Sequence, residues 1–235
     1  MRLGIISALA EEQMGLIDAM HNVEKHVHGM REYTAGKLWD IDAVCVLSRI
    51  GKVAAAMTAS ILVEKFDVTH IVFTGVAGSG DVGVRVGDIV VAESLVQHDM
   101  DASPLFPRFE IPLTGQSHIA SDRDLTRRLA LAAREFLQEE PGTPQLHRGL
   151  IASGDQFIKH RAQLGALKDA LPDLLAVEME GAAVAQVCFE LGIPFGVIRT
   201  ISDNANEDAA VDFMEFVHKV ASRYAFSVLR NFCRV

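Results

Sequence analysis

Cysteine and the larger aromatics are scarce: the 235 residues include three Cys, one Trp and two Tyr. Cys45, Cys188 and Cys233 lie far apart, form no C-x-x-C pair, and two of them sit in apolar runs. That usage predicts buried reduced thiols and a cytoplasmic protein, and it excludes a disulfide framework. Positive charge is also in short supply, with 22 Lys and Arg against 31 Asp and Glu, a formal net charge of -9. Coating nucleic acid or an anionic membrane needs clustered basic residues, so neither partner is expected. Mean hydropathy is positive at +0.21, yet no apolar run approaches the ~20 residues that a bilayer-spanning helix requires. The surplus must enter a core or a contact between subunits. MRLGIISALAEE has one basic residue and a short apolar stretch closed by Glu11 and Glu12, unlike a secretory signal.

Several catalytic signatures are missing as well. There is no P-loop G-K-[ST], no H-E-x-x-H and no G-x-S-x-G, and the nine histidines show no zinc-type spacing with cysteine. His98-Asp99 has no third ligand beside it and reads as structural. No metal and no cofactor are expected.

What is present is a set of short runs rich in Val, Ile and Leu: LGIISA, AVCVLS, HIVFTGV, DIVVAE, GLIAS, LLAVEM and FGVIRTIS. Such runs suit strands buried on both faces. Segments with helical spacing separate several of them, over about Glu11–Met20, Val53–Phe66, Asp122–Leu137, Gly181–Leu191 and Asp212–Arg230. The alternation predicts an α/β fold, with a mixed, mostly parallel central sheet flanked by helices and residues 1–235 forming one domain. VAAAMTASILVEKF is apolar or small around most of its circumference, which asks for a second buried face such as a homodimer contact. In SPLFPRFEIPLTG, Pro104, Pro107 and Pro112 forbid ladder pairing while Leu105, Phe106 and Phe109 resist full exposure; a stiff packed loop is expected.

Gly78-Ser79-Gly80-Asp81-Val82-Gly83 matches the letters of the G-x-G-x-x-G dinucleotide fingerprint. That fingerprint must open a helix, whereas VRVGDIVVAES reads as another strand. A Gly-rich turn at a strand's C-terminal end still lets a ligand come close to the backbone, so Gly78 is a candidate binding residue.

Carboxylates carry the strongest signal. LLAVEMEGAAVAQV, from Leu174 to Val187, is apolar almost throughout but holds Glu178 and Glu180. A buried carboxylate is costly unless something pairs with it or binds to it. If the strand runs through Glu180, alternation puts both acids on one face, and Arg199 on the following strand is a candidate partner. Glu12 and Asp203 taken singly are ordinary, a helix-start acid and a turn-forming Asp. Yet Glu12, Glu180 and Asp203 each follow a predicted strand, so all three could converge at one C-terminal sheet edge.

GIISALAEE, TGVAG, VGDIVVAES, SGDQFI, AVEMEGAAVA and RTISDNA, in that order along nearly the whole chain, together resemble the 5'-methylthioadenosine/S-adenosylhomocysteine nucleosidases of the purine nucleoside phosphorylase superfamily. The resemblance implies a nucleoside phosphorylase-like fold, a homodimer, a small nucleoside as substrate and hydrolysis without a cofactor. It further implies that Glu12 activates the attacking water, Glu180 holds the ribose hydroxyls and Asp203 protonates N7 of the departing adenine. Phe157 and Ile158 would meet the base, Met179 and Phe213 the ribose and 5'-thioalkyl group, with Glu178 and Arg199 in support. Val76 stands where some members have Ser, and the proline-rich loop, which in this family reaches the partner's site, replaces a glycine-rich one. Other adenosine-like substrates, such as 5'-deoxyadenosine or aminodeoxyfutalosine, remain open, as do a phosphate-dependent phosphorylase and a catalytically silent nucleoside-binding protein.

Overall fold

A computed structural model describes residues 1–234. Its framework is one mixed ten-stranded sheet. Strands β1 (Arg2–Ser7), β4 (Ile41–Leu47), β5 (His70–Ser79) and β10 (Phe195–Asp203) run parallel in the spatial order β4-β1-β5-β10. β10 also pairs antiparallel with β6 (Ile89–Gln97), which continues through β8 (Leu146–Ser153) and β9 (Leu174–Glu178) back to β5. The sheet therefore closes on itself on this side. On the open side, the antiparallel hairpin of β2 (Met20–His28) and β3 (Arg31–Leu38) extends it past β4; on the closed side, β7 (His118–Ala120) pairs with β6.

The apolar runs are buried because helices cover both faces. Every residue of β10 is buried. Helices α3 (Arg123–Gln138) and α7 (Ser222–Phe232) pack Leu125, Leu129 and Leu229 against Ile5, Val72 and Ile198. On the other face, α2 (Lys52–Phe66) and α5 (Gly181–Leu191) pack Leu62, Val184 and Cys188 against Ile6, Phe73 and Val197. Each large side chain fully buried in this way contributes roughly 1.5–3 kcal/mol. Cys45 and Cys188 are buried, Cys233 is half-buried, and all three are free thiols. No described helix is long and apolar enough to cross a membrane.

The structure corrects the sequence in several places and adds a helix that it did not predict, α4 (Arg161–Ala170). The helix expected over Glu11–Met20 is a single turn, α1 (Ala10–Gln13); Gly15 turns the chain at φ 84° and β2 begins at Met20. Its apolar spacing arises because Leu16, in the turn, and Met20, the first residue of β2, both reach the core. The C-terminal helix starts early as α6 (Ala209–Phe216), widens into a π-helical stretch over Val217–Ala221, and resumes as α7. β9 stops at Glu178, so strand alternation does not relate Glu178 to Glu180. β2 had no apolar signal because it is an edge strand with nearly every side chain exposed. In the proline-rich loop Phe109 and Ile111 are buried but Leu105 and Leu113 are 84% and 90% exposed, so only part of it packs on this chain.

At Gly78–Gly83 β5 ends in a turn that leads to β6, with no helix N-terminus to receive a pyrophosphate. Gly80 answers to packing: a Cβ there would lie 2.8 Å from Leu174 Cγ and 2.9 Å from the Ala176 backbone nitrogen. Gly80→Ala is expected to cost about 1–3 kcal/mol, read as a lower urea midpoint. Gly83→Ala, whose Cβ would meet only the Asp81 side chain at 3.2 Å, should change stability by no more than about 0.5 kcal/mol.

Candidate active site

The ends of β1, β9 and β10 meet at one place, although β9 runs antiparallel to β5 and lies outside the parallel set. Glu12 follows β1 on α1, Glu180 opens α5 two residues beyond β9, and Asp203 is the last residue of β10. A cavity of about 270 Å³ lies among them, and Glu12, Gly78, Phe157, Ile158, Met179, Glu180, Asp203 and Phe213 all line it. Its wall also includes Val76, noted from the sequence, and Leu9, Ile50, Gln156, Val177 and Ser202, which the sequence did not single out. Ile50 could have been suspected, since it too follows a strand end, that of β4. The Phe157 and Phe213 rings meet edge to face at 5.7 Å.

Backbone amides hold Glu12. Its Oε2 accepts from the amides of Ala8 and Leu9 at 2.8 and 2.9 Å, and Oε1 accepts from Val76 at 3.1 Å. Burial pushes its pKa up, against these amides and the charge of Arg199. Asp203 Oδ1 accepts from the Ala205 amide at 2.9 Å, and Oδ2 lies 2.9 Å from Ser202 Oγ. Ser202 Oγ is also 3.2 Å from the Ala77 carbonyl. One hydroxyl carries one proton, so satisfying both oxygens at once calls for a proton on the Asp203 carboxyl. Burial, with the charge of Asp212 adding to it, raises the Asp203 pKa.

The TGVAG glycines give these acids room. A Cβ on Gly75 would lie 2.9 Å from Glu12 Oε1, and one on Gly78 would lie 2.9 Å from Asp203 Oδ1. Both sit on β5 between the strands that carry the two acids.

Glu178 and Glu180 have opposite surroundings. Glu178 Oε2 accepts from Arg199 Nη2 at 2.6 Å and from the Gly181 amide at 2.8 Å, while Oε1 accepts from Ser153 Oγ. The pairing with Arg199 foreseen from sequence is thus made, and the guanidinium lies 4.1 Å over the Phe73 ring. Glu180 has one protein donor, the Gly51 amide at 2.8 Å to Oε1. Burial first, then the charge of Glu178, lifts its pKa from 4.5 to about 8. Among the described residues its second oxygen has no donor, and the residue lines the cavity.

Among the described residues no group of three or more His, Cys, Asp or Glu is placed to hold a metal ion. His98 is buried with its ring against Gly154, where a Cβ would come within 2.3 Å, and burial lowers its pKa.

Residues 2–234 match the family model of the phosphorylase superfamily. The chain is 37% identical over 230 residues to a 5'-methylthioadenosine/S-adenosylhomocysteine nucleosidase of Shewanella frigidimarina, covering 97% of both chains. A nucleosidase of the same name from Hydrogenovibrio crunogenus is 34% identical, again over 97% of each. Among solved structures, the nucleosidase of S. pneumoniae with a transition-state inhibitor superposes with a TM-score of 0.90 at 36% identity, covering 100% of this chain and 99% of that one. The futalosine hydrolase of Helicobacter pylori gives 0.89 at 33% identity, over 99% and 97%. The chain therefore belongs to the phosphorylase superfamily and, within it, to the 5'-methylthioadenosine/S-adenosylhomocysteine nucleosidases, a family of N-glycosyl hydrolases.

Proposed function

We propose that this protein hydrolyses the N-glycosidic bond of 5'-methylthioadenosine and S-adenosylhomocysteine, releasing adenine and the 5-thioribose product, with residues 1–235 acting as one nucleosidase domain. The observation that carries this reading is the convergence of three buried carboxyl groups, each with a raised pKa, on one small cavity.

Breaking the bond places positive charge on the ribose and negative charge on the purine, so an acid is needed at one end and anionic or dipolar groups at the other. Asp203 supplies the proton to N7; its raised pKa keeps that proton available. Glu12 takes a proton from the attacking water, and its Oε1, held by a single amide, has a lone pair left for it. Its raised pKa makes it a stronger base than an exposed glutamate. Glu180 turns its unpaired oxygen to the ribose hydroxyls. Phe157 stacks on adenine, Ile158 hydrogen-bonds it through its backbone, and Met179 and Phe213 enclose the ribose and the 5'-thioalkyl group. Gly78 clears space for the acid. No cofactor takes part in this scheme.

Two features outside the cavity fit the rest of the reading. Val53 and Met57, on α2, are 81% and 40% exposed; a second copy of the chain covering them makes the protein a homodimer. Free thiols suit a cytoplasmic location. The likeness to a futalosine hydrolase favours a second reading, in which the 5' substituent is a larger group on the same adenosine frame.

Asp203→Asn and Glu12→Gln should each lower kcat by about 10²–10⁴, with thermal unfolding unchanged and, for Glu12→Gln, substrate binding retained; normal turnover in either variant removes that residue from the scheme. A panel of adenosines varied at the 5' position, assayed for adenine release with and without phosphate, should show phosphate-independent release, greatest for the thioalkyl compounds. Release that requires phosphate means a phosphorylase, and a preference for futalosine-type compounds selects the second reading.

The raised Glu180 pKa also sets a sign for stability. The folded state holds this proton more tightly than the unfolded chain does. The resulting stabilisation is fully present below the ordinary value of 4.5 and is lost as pH rises through about 8. The Tm of the ligand-free protein should fall over that interval, and Glu180→Gln should flatten the decline.

A further inference from the structure

Glu180 depends on a backbone amide whose own position needs explaining. Gly51 precedes α2 at φ 100° and ψ 156°, a conformation open to glycine and strained for other residues. Two successive amides there point at two carboxylates: Gly51 N–H at Glu180 Oε1 and Lys52 N–H at Asp155 Oδ1, both at 2.8 Å. Asp155 thereby caps α2, satisfying a helix-start donor that has no partner within the helix. A closed ring fixes Asp155 in turn. Its amide donates to Asp99 Oδ2 at 2.9 Å, and Asp99 Oδ1 accepts from Lys52 Nζ at 2.5 Å. Lys52 Nζ also donates to Gln97 Oε1 at 3.1 Å.

This ring joins the end of β6 to two chain segments that lead into the site: the turn before α2, which holds Ile50, and the turn after β8 that continues into Gln156, Phe157 and Ile158. Resting on the nucleosidase reading above, we propose that Asp155 is a positioning residue: by capping α2 through the Lys52 amide it keeps the adjoining Gly51 N–H on Glu180, so that the carboxylate's other oxygen meets the ribose. Asp155 is exposed, and among the described residues its carboxylate bonds only to the Lys52 amide, so its removal leaves the packing of the core intact. The carboxylate acts through Glu180 and does not touch the reacting atoms.

The test is a double-mutant cycle on the full chain, with kcat/KM for methylthioadenosine, Ki for adenine and thermal unfolding measured together. Asp155→Ala should lower kcat/KM by about 10–100-fold, the scale of a misplaced binding group, with adenine Ki and Tm close to wild type, because adenine has no ribose for Glu180 to hold. Asp155→Asn retains an acceptor for the Lys52 amide and should recover most of the loss. In a Glu180→Ala background, Asp155→Ala should cost less than about 3-fold. Full activity of Asp155→Ala, an undiminished loss in the Glu180→Ala background, or an adenine Ki that rises in step with the loss would each overturn the proposal. A wild-type protein that releases no adenine from methylthioadenosine would instead refute the nucleosidase reading itself.

Discussion

The buried ion pair of Glu178 and Arg199 is the constraint on which the site depends. Their side chains are only 3% and 1% exposed, and desolvating two charges this fully is tolerable only when the remaining hydrogen-bonding capacity is also met. It is met here. Arg199 reaches the carbonyls of Phe73 and Ile198 as well as Glu178, and Glu178 takes the amides of Glu180 and Gly181. The pair bridges β9 and β10, which both border β5, and fixes the turn that presents Met179 and Glu180. Breaking it by removing one partner would leave an uncompensated charge in the middle of the sheet.

That guanidinium also limits an electrostatic excess. Glu12, Glu178 and Glu180 are all buried near one cation, and Arg199 lowers the pKa of both Glu12 and Glu180 without cancelling the rise caused by burial. The cavity is therefore a place where carboxyl groups retain protons more readily than in water. Amide donors then distinguish the acids. Glu12 has three, Glu180 and Asp203 have one each, and Asp203 also lies beside a hydroxyl that already has another acceptor. A carboxyl group can serve as base, ligand or acid according to what surrounds it.

Much of this architecture was legible in the sequence, for definite reasons. Parallel strands buried on both faces leave continuous apolar runs, so LGIIS, AVCVL and FGVIRTIS announced the centre of the sheet. Glu178 stood out because an acid in an apolar run needs a partner, and Arg199 was within reach. Closure of the sheet was not legible, because it depends on β10 pairing with β5 on one side and β6 on the other, a long-range choice with no local signature. The edge hairpin lacked a pattern because its outer strand buries almost nothing. Glu178 and Glu180 were easily taken for strand neighbours, since the sequence does not mark where β9 gives way to α5. The Gly51 amide that meets Glu180 was invisible for a simpler reason: a backbone donor leaves no trace in residue identity.

The π-helical stretch at Val217–Ala221 has its own consequence. A π-turn holds an extra residue relative to the α-helix, and one residue corresponds to about 100° of rotation about the axis. The segments on either side are consequently out of phase. Phe213, ahead of the insertion, is aimed at the cavity, while Leu229 and Phe232, beyond it, face the core. A single C-terminal rod thus divides its work between lining the cavity and sealing the sheet, and loss of one residue from that turn would set these two duties against each other while leaving the helix continuous.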